Sequence, residues 1–147
     1  IGFMFCCRAI CPISLPEFFV IGSKDRADKL FGLAIVEGTG YCENPFCKTR
    51  GAVLTPAHII NRWNNRVRCD VRNAFCLCIF CHSYFEDHPL EFNKFVEDSW
   101  AFIYMPALIA KANVTLCLKM DWSERVEFLT DIVCGLKTLK QARLEEI

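Results

Sequence analysis

Two cysteine pairs, Cys42/Cys47 and Cys78/Cys81, bracket a stretch that also carries His58, Asn73 and, directly after the last cysteine, His82. Paired thiolates are what a tetrahedral structural zinc takes as ligands. The second pair has the usual two-residue gap, and the first, with four, lies within range. Cys76 is an alternative ligand. Such a zinc staples a fold and does no chemistry, so the histidines and the asparagine are a surplus that needs another explanation. A neutral imidazole at His58 accepts a proton from water near pH 7. It must be held in one tautomer, and the amide of Asn73 is suited to that. His82 and Glu86 stand four apart on an expected helix and project from one face. An imidazole and a carboxylate so placed hold a divalent cation while leaving positions open for substrate. Arg62, Arg66 and Arg68 suit phosphate, because a guanidinium pairs its donors with phosphate oxygens. Base, metal and phosphate clamp are the parts of a phosphodiesterase. The bland reading of each part is a core histidine beside Ile59 and Ile60 and a solvated arginine loop.

The elements that must position these residues are short. Ser23 or Asp25 caps a helix through Val36 that ends at Gly38 and Gly40. Val53 and Leu54 suggest a strand broken by Pro56, and Ala74 to Leu77 a second. Residues 61–72 read as a polar, basic loop. A helix is expected to open near His82, and Pro89 fits the first turn of another, capped by Asp87 or His88. Asp121 and Glu124 have the spacing of a helix cap and its partner. From there Trp122, Val126, Leu129, Val133 and Leu136 recur at helical spacing to near the C-terminus. The expected division is an apolar segment of no assigned role at 1–22, a working domain at 23–98 and a C-terminal helical extension at 99–147.

Composition bounds the rest. The chain has 147 residues, 53% of them hydrophobic, which suits one packed domain and excludes disorder. Its formal net charge is zero, but Lys48 to Arg72 carries six basic residues against Asp70 alone. A neutral chain with such a stretch still presents a basic face. Eleven cysteines is an odd number, and the knuckle spacing favours metal in a reducing compartment over disulfides. The apolar residues 1–22 are interrupted by Arg8, Pro12, Pro16 and Glu17 and do not read as a signal peptide or a membrane span.

The stretch resembles the HNH endonucleases, and within them the small zinc-stapled form common in bacteriophages. The matching residues are Cys42/Cys47, AHI at 57–59, Arg62, Arg68, RNAFCLC at 72–78, CH at 81–82 and YFEDHPLEF at 84–92. The resemblance covers residues 25–98, extends loosely over the C-terminal helices, and says nothing about residues 1–22.

The resemblance implies an α+β fold: a ββα-metal (His-Me finger) core stapled by a zinc on four cysteines, with flanking N- and C-terminal helices. His58 is then the general base, Asn73 orients it, and His82 binds the catalytic cation, Mg²⁺ or Mn²⁺, with Zn²⁺ or Ni²⁺ as alternatives. The implied activity is metal-dependent hydrolysis of DNA, most simply duplex DNA. The implied setting is a phage or prophage protein in the bacterial host cytoplasm, with no membrane and with phage packaging proteins as further partners. Two residues depart from the pattern. Many members carry Asp or His just before the base, where this chain has Ala57, and many carry a second histidine where it has Glu86; a carboxylate can replace that histidine as a ligand of the cation, and His88 lies close enough to serve as well. The rival reading is a zinc module that binds nucleic acid without cutting it. A disulfide-rich secreted protein is a third.

Overall fold

In the computed structural model, residues 23–49, 51–114 and 119–146 are described, so the apolar residues 1–22 lie outside the described residues. The fold is α+β, with six α-helices among the described residues and a two-stranded antiparallel sheet. Helix α1 (Lys24–Thr39) begins where the Ser23 hydroxyl accepts the Arg26 N–H, and it ends at Gly40, whose φ of 80° only glycine adopts freely. Gly38 stays inside the helix. A Cβ there would meet Leu139 at 3.0 Å, so it marks a close approach and not a terminus.

Strand β1 (Leu54–His58) runs through Pro56 and is not broken by it. The register explains why. Pro56 faces Cys76, whose backbone N–H and C=O bond to Glu43 on the other side, so the proline's missing donor faces away from the ladder. The ladder bonds fall instead on the pairs Thr55–Leu77 and Ala57–Phe75, and the pattern continues outward through Ile59 to Asn73 and Ile79 to Val53.

Strand β2 (Ala74–Cys78) is buried along its whole length. Ala74 and Cys76 enter one core with α1, α5 (Trp122–Val133) and α6 (Leu139–Glu145). Phe75 and Leu77 enter a second with α2 (Ile79–Asp87) and α3 (Pro89–Glu97). The sheet is thus the middle of three layers, which is why AFCLC lacks polar alternation. Phe75 packs among Phe92, Phe95 and Trp100, and truncating so enclosed a ring to alanine costs about 3–5 kcal/mol.

A 3-10 turn (Trp100–Tyr104) and α4 (Met105–Ala112) lead to the C-terminal helices. The apolar periodicity after Asp121 is two helices, not one: Gly135 takes a φ of 74°, Leu136 is exposed in the turn, and Thr138 with Gln141 forms a capping box for α6. Because α5 packs on α1, the C-terminal helices complete the core of residues 23–98. Among the described residues no helix is long and apolar enough to cross a membrane.

Candidate functional site

Helix α2 starts earlier than expected, at Ile79, because Cys78 is its N-cap and its sulfur accepts the Cys81 N–H at 3.4 Å. The second cysteine pair is therefore the first turn of the helix. The loop after Tyr41 returns Cys42 and Cys47 to it, held by Glu43 on Cys76 and Trp100. The four sulfurs of Cys42, Cys47, Cys78 and Cys81 lie within 4.8 Å of one another and could hold a metal ion such as zinc. Zn–S bonds of about 2.3 Å at tetrahedral angles put sulfurs ~3.8 Å apart, and Cys47 and Cys78 stand at 3.7 Å. Asn44 Nδ2 donates to Cys81 Sγ from outside, and the Thr49 hydroxyl lies 3.3 Å from Cys78 Sγ, the usual surroundings of thiolate ligands. Burial pushes the Cys81 thiol up, to about 12. At Cys78 burial also pushes upward, but bonds from Thr49 and the Cys81 N–H prevail and bring the thiol to about 6. A cation bound among the four sulfurs would displace the thiol protons. Cys76, the alternative ligand, is buried in the other core and takes no part.

His58 closes β1, four residues from the Leu54–Cys78 pair, so about 13 Å of strand separates it from the cysteine cluster. Its ring stacks on Phe31 of α1 at 5.1 Å between centroids. Nε2 lies 2.8 Å from the Arg68 carbonyl oxygen. A carbonyl only accepts, so Nε2 carries the proton and Nδ1 keeps its lone pair. Burial, the largest influence, holds the imidazole below its ordinary 6.5, and the Arg68 and Arg62 charges act the same way.

Asn73 does not touch this ring. Its side chain is fully buried and bonds the loop backbone: Oδ1 accepts the Ile60 N–H at 2.7 Å, and Nδ2 donates to Ile60 O and Val67 O. It fixes the loop that carries Arg68, and Arg68 holds His58.

His82 is oriented by Thr55. The threonine hydroxyl donates to Leu77 O at 3.2 Å and lies 2.8 Å from His82 Nδ1. A hydroxyl has one proton, so both bonds form together only when Nδ1–H donates, which leaves the Nε2 lone pair bare. That atom is 3.6 Å from Glu86 Oε1 on the next turn of α2. Two lone-pair donors this close fit a shared cation, with His82 held by its outer hydrogen bond as histidines in metal sites are. His88 is turned elsewhere, stacked on Tyr84 and donating Nδ1–H to Tyr84 O. Ala57 lines the same cleft but offers no ligand atom.

His58, His82, Glu86 and Arg62 line one open cleft of about 630 Å³. The arginines divide sharply. Arg68 is bound in a bidentate pair to Asp28 of α1, both bonds 2.6 Å, with its third nitrogen on Arg62 O. Burial opposes ionisation of Asp28, but the guanidinium prevails and holds the carboxyl below its ordinary range. Arg66 is half-buried and does not line the cleft, whereas Arg62 is exposed there.

Compared with known families, curated proteins and solved structures, the chain has no match. Its chemistry therefore rests on geometry alone. Two residues that sequence reading passed over emerge from it: Asp28 and Thr55. Thr55 alone left a trace, as the one polar side chain in an otherwise apolar strand start.

Proposed function

We propose that this chain is a metal-dependent endonuclease of the HNH type, built on a ββα-metal core and stapled by a structural zinc at Cys42, Cys47, Cys78 and Cys81. The observation that carries it is the tautomer pair in the cleft. His58 presents a bare Nδ1, and His82 presents a bare Nε2 beside a carboxylate. One imidazole is free to take a proton and the other to hold a cation.

In this reading His58 Nδ1 removes the proton from a water that attacks a DNA phosphorus in line, while Nε2–H stays bonded to Arg68 O. Burial favours the neutral ring, the form a base needs. Arg62 pairs with a phosphate oxygen at the rim. His82 and Glu86 hold Mg²⁺ or Mn²⁺, which would offset negative charge at the phosphorus and the departing oxygen. Two protein ligands suffice for a cation that keeps waters and takes substrate phosphates. Phage or prophage origin, action in the host cytoplasm and a place beside packaging proteins belong to the same proposal.

A plasmid-relaxation assay tests it. Purified protein with Mg²⁺ or Mn²⁺ is expected to nick supercoiled DNA, and His58→Ala is expected not to. The bare Ala57 position favours one rival, a zinc-stapled binding module. Wild type and variant that both shift DNA on a gel without cutting it would establish that rival.

A further inference from the structure

Trp63 is 80% exposed. Phe46 and Leu90 are equally bare, so exposure alone assigns it nothing. Its setting does. It stands between Arg62 and Arg66 in a stretch, residues 59–69, that contains no acid, and it directly follows Asn61 and Arg62, which line the cleft.

The chain also fixes this tip firmly. Asn61 Oδ1 accepts the Trp63 N–H at 2.9 Å, and Asn61 O accepts the Asn64 N–H at 3.0 Å. Asn64 in turn donates to Ala112 O at the end of α4 and accepts the Arg66 N–H. An indole held outward on a tied turn, flanked by cations and adjoining a phosphate-compatible cleft, has the makings of a stacking platform for a nucleobase.

We infer that Trp63 stacks on an unpaired base, and that the substrate class of the proposed nuclease is single-stranded or locally unpaired DNA. This rests on the nuclease reading of the cleft. In paired duplex both faces of each base are already covered by neighbours, so a protruding indole gains a π-face only where a base is unpaired. Arg62, exposed at the cleft, serves an adjacent phosphate, which every strand offers. Selectivity for unpaired sites therefore lies with Trp63.

The test uses the full-length, zinc-loaded protein without added divalent cation. Affinity is measured for an oligothymidylate, a duplex with an internal bulge and the same duplex fully paired. Trp63→Ala is expected to weaken the first two about 5- to 100-fold and the paired duplex less than about twofold, with Trp63→Phe close to wild type. Unchanged metal content and thermal midpoint show that the fold is intact. Equal loss on all three DNAs, or no loss on any, overturns the inference. Failure of the nuclease reading looks different: Trp63-dependent binding of the bulge persists, while wild type and His58→Ala are equally unable to cut with Mg²⁺ or Mn²⁺. A protein that binds none of the three DNAs overturns both.

Discussion

His58 Nε2 donates to the carbonyl oxygen of Arg68 at 2.8 Å, ten positions along the chain. The bond makes a backbone atom the arbiter of the imidazole's tautomer, and no side-chain substitution at Arg68 removes it directly. The ring is also desolvated, which places its folded pKa below the ordinary 6.5. Two consequences share one sign. As pH falls below 6.5 the unfolded chain takes up the proton before the folded one, so stability contributed by the neutral ring is present above 6.5 and lost as pH falls through the folded value. As the proposed base, His58 likewise stays neutral to a pH below 6.5. The acid limb of the cutting rate is expected to lie below pH 6.5, read from kcat/KM against pH; a limb at or above 6.5 contradicts it.

Asp28 acts on the same ring at one remove, because its carboxylate holds the side chain of the residue whose carbonyl holds His58. Both partners are well covered, at 13% and 31% side-chain exposure. Asp28→Asn keeps the volume and removes the charge. A charge-assisted pair of this kind contributes about 1.5–3 kcal/mol, and in a chain of this size each kcal/mol moves the thermal midpoint about 2–4 °C. Midpoint and kcat are expected to fall together, with KM and bound zinc unchanged. A lowered midpoint with unchanged kcat would show that Arg68 needs no clamp to hold His58.

Arg62 and Arg68, equivalent in the sequence, should separate in salt titrations. Arg62→Ala is expected to weaken DNA binding and flatten the dependence of log K on log salt by about one unit, the loss of one phosphate contact. Arg68→Ala is expected to lower the thermal midpoint through Asp28 while leaving that slope alone. An identical slope change in both variants would place Arg68 on the DNA after all.

These contrasts mark how far the sequence could be read. The cysteine knuckles were legible because metal spacing is local, and Cys78 and Cys81 lie in one turn. The histidines stood out in the sequence as candidates, but their geometry did not. Their orienting partners are a backbone carbonyl at Arg68 and a hydroxyl at Thr55, 27 positions from His82, and only the fold brings them near. Asn73 stands out in the sequence as a polar residue beside an apolar run, yet its amide serves the loop and not the ring. Pro56 misleads because a proline breaks a strand only when its nitrogen faces the ladder. Gly135 is the visible sign that the C-terminal stripe turns, and apolar spacing across it conceals the break.

The cysteine cluster should behave as a metal site and not as disulfides. Purified chain is expected to carry one zinc, measured by atomic emission, with four thiols protected from a thiol reagent until the metal is removed. Cys78→Ser should lose the metal and destabilise the start of α2. Cys76→Ala, buried across the sheet, should keep the metal at a modest cost in stability. Metal loss in both variants alike would mean that the cluster depends on general packing and not on its four ligands.

The loop that holds His58 is anchored from below by buried charge. Asp70 bonds Arg72 at 2.7 Å and Lys111 of α4 at 2.8 Å, while Glu146 pairs with Arg125 and lies 3.5 Å from Lys111. Lys111 is thus shared by the two carboxylates. Burial first, and Asp70 second, push the Glu146 carboxyl up; burial also opposes ionisation of Asp70, but Arg72 and Lys111 prevail and hold it down. Lys111→Met keeps the aliphatic stem and removes the shared charge, at an expected cost of about 1.5–3 kcal/mol. With the bridge gone, the two carboxylates repel where both are ionised. The deficit should therefore be largest at neutral pH and shrink as pH falls and Glu146 takes up its proton, as followed by denaturant midpoints across the acid range. A deficit constant with pH would assign Lys111 to packing alone. If cutting also falls in this variant, the loop's geometry at His58 depends on a charge on α4.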